Sequence, residues 1–138
     1  MYGTPEYNSM TLLDRYFAKY PEDAGKATLI IKGGAHPATV IYKSADNILA
    51  QLGPNKKLDM FGLGRRDHPV TLETTLGALQ REYVDTDKIG GITLSQCSAA
   101  TIHEAARHIK VTAVEVELSI FSLLTNASPR RVPSTGPR

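Results

Sequence analysis

Three apolar, β-branched runs in this chain each end in a polar residue suited to chemistry, and they recur about every thirty positions. ATLIIKGG carries Lys32 at its end, LDMFGLGRRDH ends in His68, and GGITLSQ closes on Ser95. A helical pattern follows each run. Such alternation is the mark of repeated βα units, whose strands lie parallel in one sheet. In folds of this kind, ligands and reactive groups collect at the carboxyl ends of the strands. The expectation is an α/β fold that brings Lys32, His68 and Ser95 to one rim.

The intervening segments support this reading. After Ser9, the residues Leu12, Leu13, Tyr16, Phe17 and Tyr20 form a one-sided helical stripe that Pro21 terminates. A strand over 27–32 is broken by Gly33-Gly34. Pro37 then opens a helix with Val40, Ile41, Ala45, Ile48, Leu49 and Leu52 inward, and Gly53-Pro54 stops it. A second strand spans 57–64, and a third helix begins near Pro69 and Thr71 with Leu72, Leu76 and Leu79 inward. A third strand over 89–95 leads to a helix capped by Ser98, with Ile102, Ala105, Ala106 and Ile109 at helical spacing. A fourth strand covers 111–118. The predicted order is α-βα-βα-βα-β, about four parallel strands that start and stop in mid-pattern, like a piece of something larger.

Composition narrows the function. At 138 residues the chain fits one domain with a modest core. The net charge of +2 misleads, because the last ten residues, PRRVPSTGPR, hold three arginines and no acid. Without them 13 basic face 14 acidic residues, a body of net −1, so nothing suggests a nucleic-acid surface. That tail, with three prolines and no apolar periodicity, reads as disordered. A single cysteine, Cys97, excludes a disulfide framework and fits a reducing compartment. No run reaches the roughly 20 apolar residues of a membrane helix, and MYGTPEYNSM has no signal-peptide pattern. The expectation is a cytoplasmic protein without a membrane partner.

Several motifs have an ordinary reading that prevails. FGLG at 61–64 would need glycine at 67 for a dinucleotide fingerprint, and Asp67 stands there. In HEAARH the histidines 103 and 108 are at i and i+5, about 140° apart around a helix, so they cannot easily share a metal. No metal site is expected. Cys97 has no partner base nearby in sequence and reads as a plain buried cysteine. Lys32 carries more weight, because it closes a buried strand and precedes two glycines that allow a sharp turn and leave room for a ligand. His68 has an alternative as a cap of the following helix, yet its place at the next strand end strengthens both residues.

Taken together, YG at 2–3, LLDRYFAKYPEDAGKATLIIKGG at 12–34, KKLDMFGLGRRDH at 56–68, TLETTLGAL at 71–79, KIGGITLSQCSAATIHEA at 88–105 and TAVEVELSIFSL at 112–123 resemble the aldo-keto reductase family. The look is nearest to its fungal pyridoxal reductase-like branch. The resemblance covers the middle of a family member, from about the end of the second barrel strand to the sixth. It implies part of a (β/α)₈ TIM barrel over residues 1–124, truncated at both ends, with 125–138 as the Arg/Pro-rich tail.

The resemblance also implies roles. Tyr2, Lys32 and His68 match the family's catalytic tyrosine, lysine and histidine, and Ser95 and Gln96 match residues that hold the carboxamide of NADPH. Glu115 joins them as an implied cofactor-binding residue, at a position where the family usually has a glutamine. The implied activity is reduction of a small-molecule aldehyde or ketone to an alcohol, with pyridoxal-like carbonyls as the class that the branch suggests. A free tyrosine with pKa about 10 is a poor acid at neutral pH; a nearby ammonium stabilises its phenolate, and a histidine orients the carbonyl oxygen. The family's aspartate would precede Met1, which leaves Lys32 without its usual ionic partner. From these departures a second expectation follows: a truncated, non-catalytic remnant or interaction module, prone to self-association through open sheet edges.

Overall fold

The computed structural model describes residues 4, 6–33, 38–63 and 71–117. The elements run α1 (Ser9–Lys19), a 3₁₀ turn (Pro21–Asp23), β1 (Ile30–Gly33), α2 (Ala38–Leu52), β2 (Met60–Leu63), α3 (Leu72–Leu79), β3 (Ile92–Ser95), α4 (Ala99–Ala105) and β4 (Val111–Glu115). The four strands pair in parallel in the order β1-β2-β3-β4. Each crossover carries one helix, as the alternating pattern requires. An isolated parallel bridge, Leu58 to Ile89, continues the β2–β3 pairing toward the amino ends of the strands. The predicted strands are therefore present but shorter than the apolar runs that signalled them. Among the described residues no helix is long and apolar enough to cross a membrane.

Local chemistry sets the helix ends. Asn8 caps α1: its side-chain oxygen accepts from the N–H groups of Met10 at 2.8 Å and Thr11 at 3.2 Å. The Thr11 hydroxyl in turn accepts from the Asn8 N–H at 3.0 Å, completing a capping box. Thr71 and Ser98 cap α3 and α4 through bonds to the N–H groups of Thr74 and Thr101. α2 ends at Leu52, and Gly53 follows with φ +68°, the left-handed turn that glycine adopts without cost.

The core lies between the sheet and its helices. Ile31, Phe61, Leu63, Ile92 and Leu94 point from the strands toward Ile41, Ala45, Ile48 and Leu52 of α2 and Leu72, Leu76 and Leu79 of α3. These inward residues follow the predicted stripes. Two stripes depart from expectation. On α1, Met10 and Phe17 are buried, whereas Leu12, Tyr16 and Tyr20 face away from the core. Residues at i, i+4 and i+8 share a face, and α1 rests on α2 through the other one. On α4 the helix stops at Ala105, so Ala106 is exposed while Ile109, beyond the helix end, is buried.

Helix α3 does not stop where its leucine stripe does. A π-helical turn over Gln80–Val84 extends it and buries Tyr83. The Tyr83 ring stacks near that of Tyr42, with centroids 6.3 Å apart, and its hydroxyl donates to Asp46 at 2.8 Å. Tyr83 stands at i+4 from Leu79 and i+11 from Leu72, so it continues the inward stripe of α3 past the last leucine.

Candidate active site

Strand register places the chemistry. Lys32 of β1 pairs with Gly62 of β2, Gly62 with Thr93 of β3, and Thr93 with Ala113 of β4. These four residues form one row on the face of the sheet opposite the helices. Two residues farther toward the strand ends, Ser95 pairs with Glu115 on the same face. Lys32, Thr93, Ser95 and Glu115 thus share one surface near the carboxyl ends of the strands. Thr93 and Ser95 are buried. Parallel sheets normally bury apolar side chains on both faces, so this polar face marks a site.

Lys32 and Glu115 form an ion pair that crosses all four strands. Three interstrand spacings would separate the β1 and β4 backbones by about 14 Å in a flat sheet. Side chains standing upright on a flat sheet could not meet over that span. The pair therefore shows that the sheet curls, with Lys32 and Glu115 on its concave side. Gly62 supplies the passage: a Cβ there would stand 3.2 Å from Cγ of Lys32 and 3.0 Å from the Thr93 hydroxyl. The lysine stem lies across β2 because that strand has no side chain at this point.

Beyond Ser95 the chain turns sharply. Gln96 has φ +52°, a left-handed conformation that costs a residue with a Cβ about 1 kcal/mol or more. Its N–H donates to the Glu115 carbonyl at 2.9 Å, which anchors the turn to β4. The Gln96 side chain is exposed at the strand end. Strained backbone of this kind gathers at functional sites. A hydroxyl and a carboxamide side by side offer both donors and acceptors, and that donor set fits the carboxamide of a nicotinamide.

Of the residues singled out from sequence, the structure brings together Lys32, Ser95, Gln96 and Glu115. Tyr2 and His68 lie outside the described residues, as do Gly34 and the 125–138 tail. Gly33 corrects an expectation. It belongs to β1 rather than to a turn, and its missing side chain makes no room for a ligand. A Cβ there would stand 2.2 Å from the Phe61 ring, so the space is filled by the core. Cys97 packs against the core, and burial pushes its thiol up, away from the thiolate form. His103 sits within α4 while His108 lies in the turn beyond it, and no group of three candidate metal ligands clusters among the described residues.

Thr93 and Gly62 were not singled out from the sequence, although a signal was present. In a strand, residues two apart share a face, so Thr93 must join Ser95. Gly62 becomes meaningful only once register sets it beside Lys32.

No family model matches the sequence. Individual proteins do. Probable pyridoxal reductase 2 of Schizosaccharomyces pombe is 40% identical over 130 residues, covering 88% of this chain and 39% of that protein. A second protein of that yeast, aldo-keto reductase yakc [NADP(+)], is 41% identical over 83 residues, or 60% of this chain and 24% of its own length. In three dimensions, a thermostable aldo-keto reductase crystallised with the inhibitor epalrestat superposes with TM-score 0.67 at 18% identity, covering 79% of this chain and 40% of that one. The chain belongs to the aldo-keto reductase family. It spans about two fifths of the length of the first relative and of the structural neighbour. Its four strands and helices correspond to part of an aldo-keto reductase TIM barrel, and its relatives are oxidoreductases. The concave polar face therefore corresponds to the inside of that barrel at the strand ends, where TIM-barrel enzymes build their sites.

Proposed function

We propose that this chain supplies the central part of the active-site rim of an NADPH-dependent reductase acting on aldehydes or ketones, with pyridoxal-like carbonyls as the leading substrate class. The observation that carries this reading is the polar row on the concave face, with Lys32, Ser95, Gln96 and Glu115 at the strand ends. The NADP(+) in the name of one relative supports the cofactor. When bound, NADPH supplies hydride for the carbonyl carbon, and the protein orients it.

The chain's own residues then have distinct tasks. Ser95 and Gln96 would hold the carboxamide of the nicotinamide and so orient the cofactor. Tyr2 donates its hydroxyl proton to the carbonyl oxygen as charge develops there. Lys32 supplies the ammonium that would favour the phenolate left behind. His68 holds the oxygen in line. No metal takes part in this scheme.

A second reading follows from coverage. Residues 1–138 match 39% of probable pyridoxal reductase 2, and taken alone they offer a cofactor only the contacts of the matched segment. On this reading the polypeptide acts as a non-catalytic interaction module. Two assays separate the readings. Residues 1–138 alone, followed by NADPH absorbance with pyridoxal or simple aldehydes, are expected to give little or no turnover. Grafted in place of the matching segment of the Schizosaccharomyces pombe relative, the same residues should give turnover that Tyr2→Phe and Lys32→Met each lower by at least about a hundredfold. A grafted protein that folds by circular dichroism yet fails to oxidise NADPH would overturn the catalytic reading. Robust turnover by 1–138 itself, abolished by Tyr2→Phe, would overturn the second.

A further inference from the structure

We propose that Glu115 is the positioning residue of Lys32: the carboxylate of β4 acts as counter-ion to the ammonium of β1 and holds it over the concave floor of the sheet. The inference deepens the reductase reading and depends on it for its consequence, but not for its test. Lys32 and Glu115 are 83 positions apart and stand on the two outer strands of the described sheet, yet their side chains meet. Three features converge on that meeting. Gly62 leaves a channel for the lysine stem, and a Cβ there would crowd Cγ of Lys32 at 3.2 Å. Thr93, buried beside Gly62, forms the floor. The Glu115 backbone is anchored by the Gln96 N–H, which settles where its side chain starts.

Both partners keep contact with water, with side chains 43% and 59% exposed. Such a pair contributes little to stability. Its effect is geometric: a free lysine samples many rotamers, whereas a paired one presents its ammonium at one place. A carboxylate committed to Lys32 is also not available to a nicotinamide carboxamide, which leaves that group to Ser95 and Gln96.

Zero-length carbodiimide coupling of the full 138-residue chain tests the pair directly, because it joins only carboxylates and amines already in contact. Mass spectrometry should find the Lys32–Glu115 linked peptides at a yield within about threefold of Lys57–Asp87, an exposed pair at 2.5 Å that serves as internal standard. Glu115→Asp should retain the link at lower yield, and Glu115→Gln should lose it. Exchange of the Lys32 ammonium protons with water, read by nitrogen-15 NMR, should be about two- to fivefold slower in the wild type than in Glu115→Gln, and high salt should erase the difference. The amide fingerprint of each variant reports its fold. A Lys57–Asp87 product without a Lys32–Glu115 product, or equal exchange rates in a folded Glu115→Gln, would overturn the proposal. Neither readout needs NADPH. A missing pair would therefore sink this inference and leave the reductase reading to its own assay, whereas a pair without turnover in the graft would do the reverse.

Discussion

Asp59 illustrates how one side chain ties two strands at the end of the sheet opposite the site. Its carboxylate accepts from the Leu29 N–H at 2.7 Å and pairs with Lys56 at 2.7 Å. Burial alone would raise the Asp59 carboxyl; the bonds from Lys56 and Leu29, with the charges of Lys56 and Lys57, outweigh it and hold the group below the ordinary carboxylate range. A depressed folded-state value gives stability that is present above the unfolded value, about 3.9, and is lost as pH falls through the folded value. Chemical denaturation should accordingly show the wild type losing its advantage over Asp59→Asn below about pH 4. At neutral pH, Asp59→Ala leaves the buried Lys56 ammonium unpaired. The expected cost is about 2 kcal/mol, below that of a fully buried pair because a third of the Asp59 side chain meets water.

Tyr83 carries the opposite sign. Burial and its bond to Asp46 push the phenol far above the usual tyrosine value. A raised folded-state value gives stability that is complete below the unfolded value, about 10, and is lost as pH climbs beyond it. Spectrophotometric titration should show one tyrosine ionising only as the fold is lost, and Tyr83→Phe should remove that delayed step. Losing the hydroxyl at neutral pH should cost about 1 kcal/mol in urea denaturation.

At the scale of elements, the Phe61 ring of β2 packs over Gly33 of β1, where no side chain stands in its way. Gly33→Ala would press a methyl into a fully buried aromatic at 2.2 Å. The ring cannot swing aside into a filled core, so the substitution should destabilise by about 2–3 kcal/mol, read as a lower denaturation midpoint. Much of the element pattern was legible beforehand: the start of α3 at Thr71, the cap at Ser98 and the stop at Gly53 all fall where the sequence placed them. The role of Gly33 was not, because a paired glycine and a turning glycine look alike until the neighbouring strand is in place. The same holds for α1, where five apolar residues marked a helix but did not say which would face α2.

For the whole molecule, the described sheet has β1 and β4 at its edges, with Ile30 and Val114 partly exposed there. Leu12, Tyr16 and Tyr20 add an apolar stripe on α1. Unpaired strand edges are templates for pairing with another chain, and an eight-stranded barrel avoids them by closing. Residues 1–138 alone should therefore self-associate, seen as a sedimentation coefficient that rises with concentration in the micromolar range. A single monomeric species with one cooperative unfolding transition would contradict this and favour an independent four-stranded domain.

By itself the sequence determined the alternation of strands and helices, the residues that end each strand, and the family they resemble. Hydrophobic periodicity and capping are local, so they survive in one dimension. Only the tertiary structure decided that Glu115 reaches Lys32. Two charges 83 positions apart carry no mark of each other in the sequence. Their meeting depends on strand register, on the curl of the sheet and on the absent side chain of Gly62, all of which arise when the strands pair.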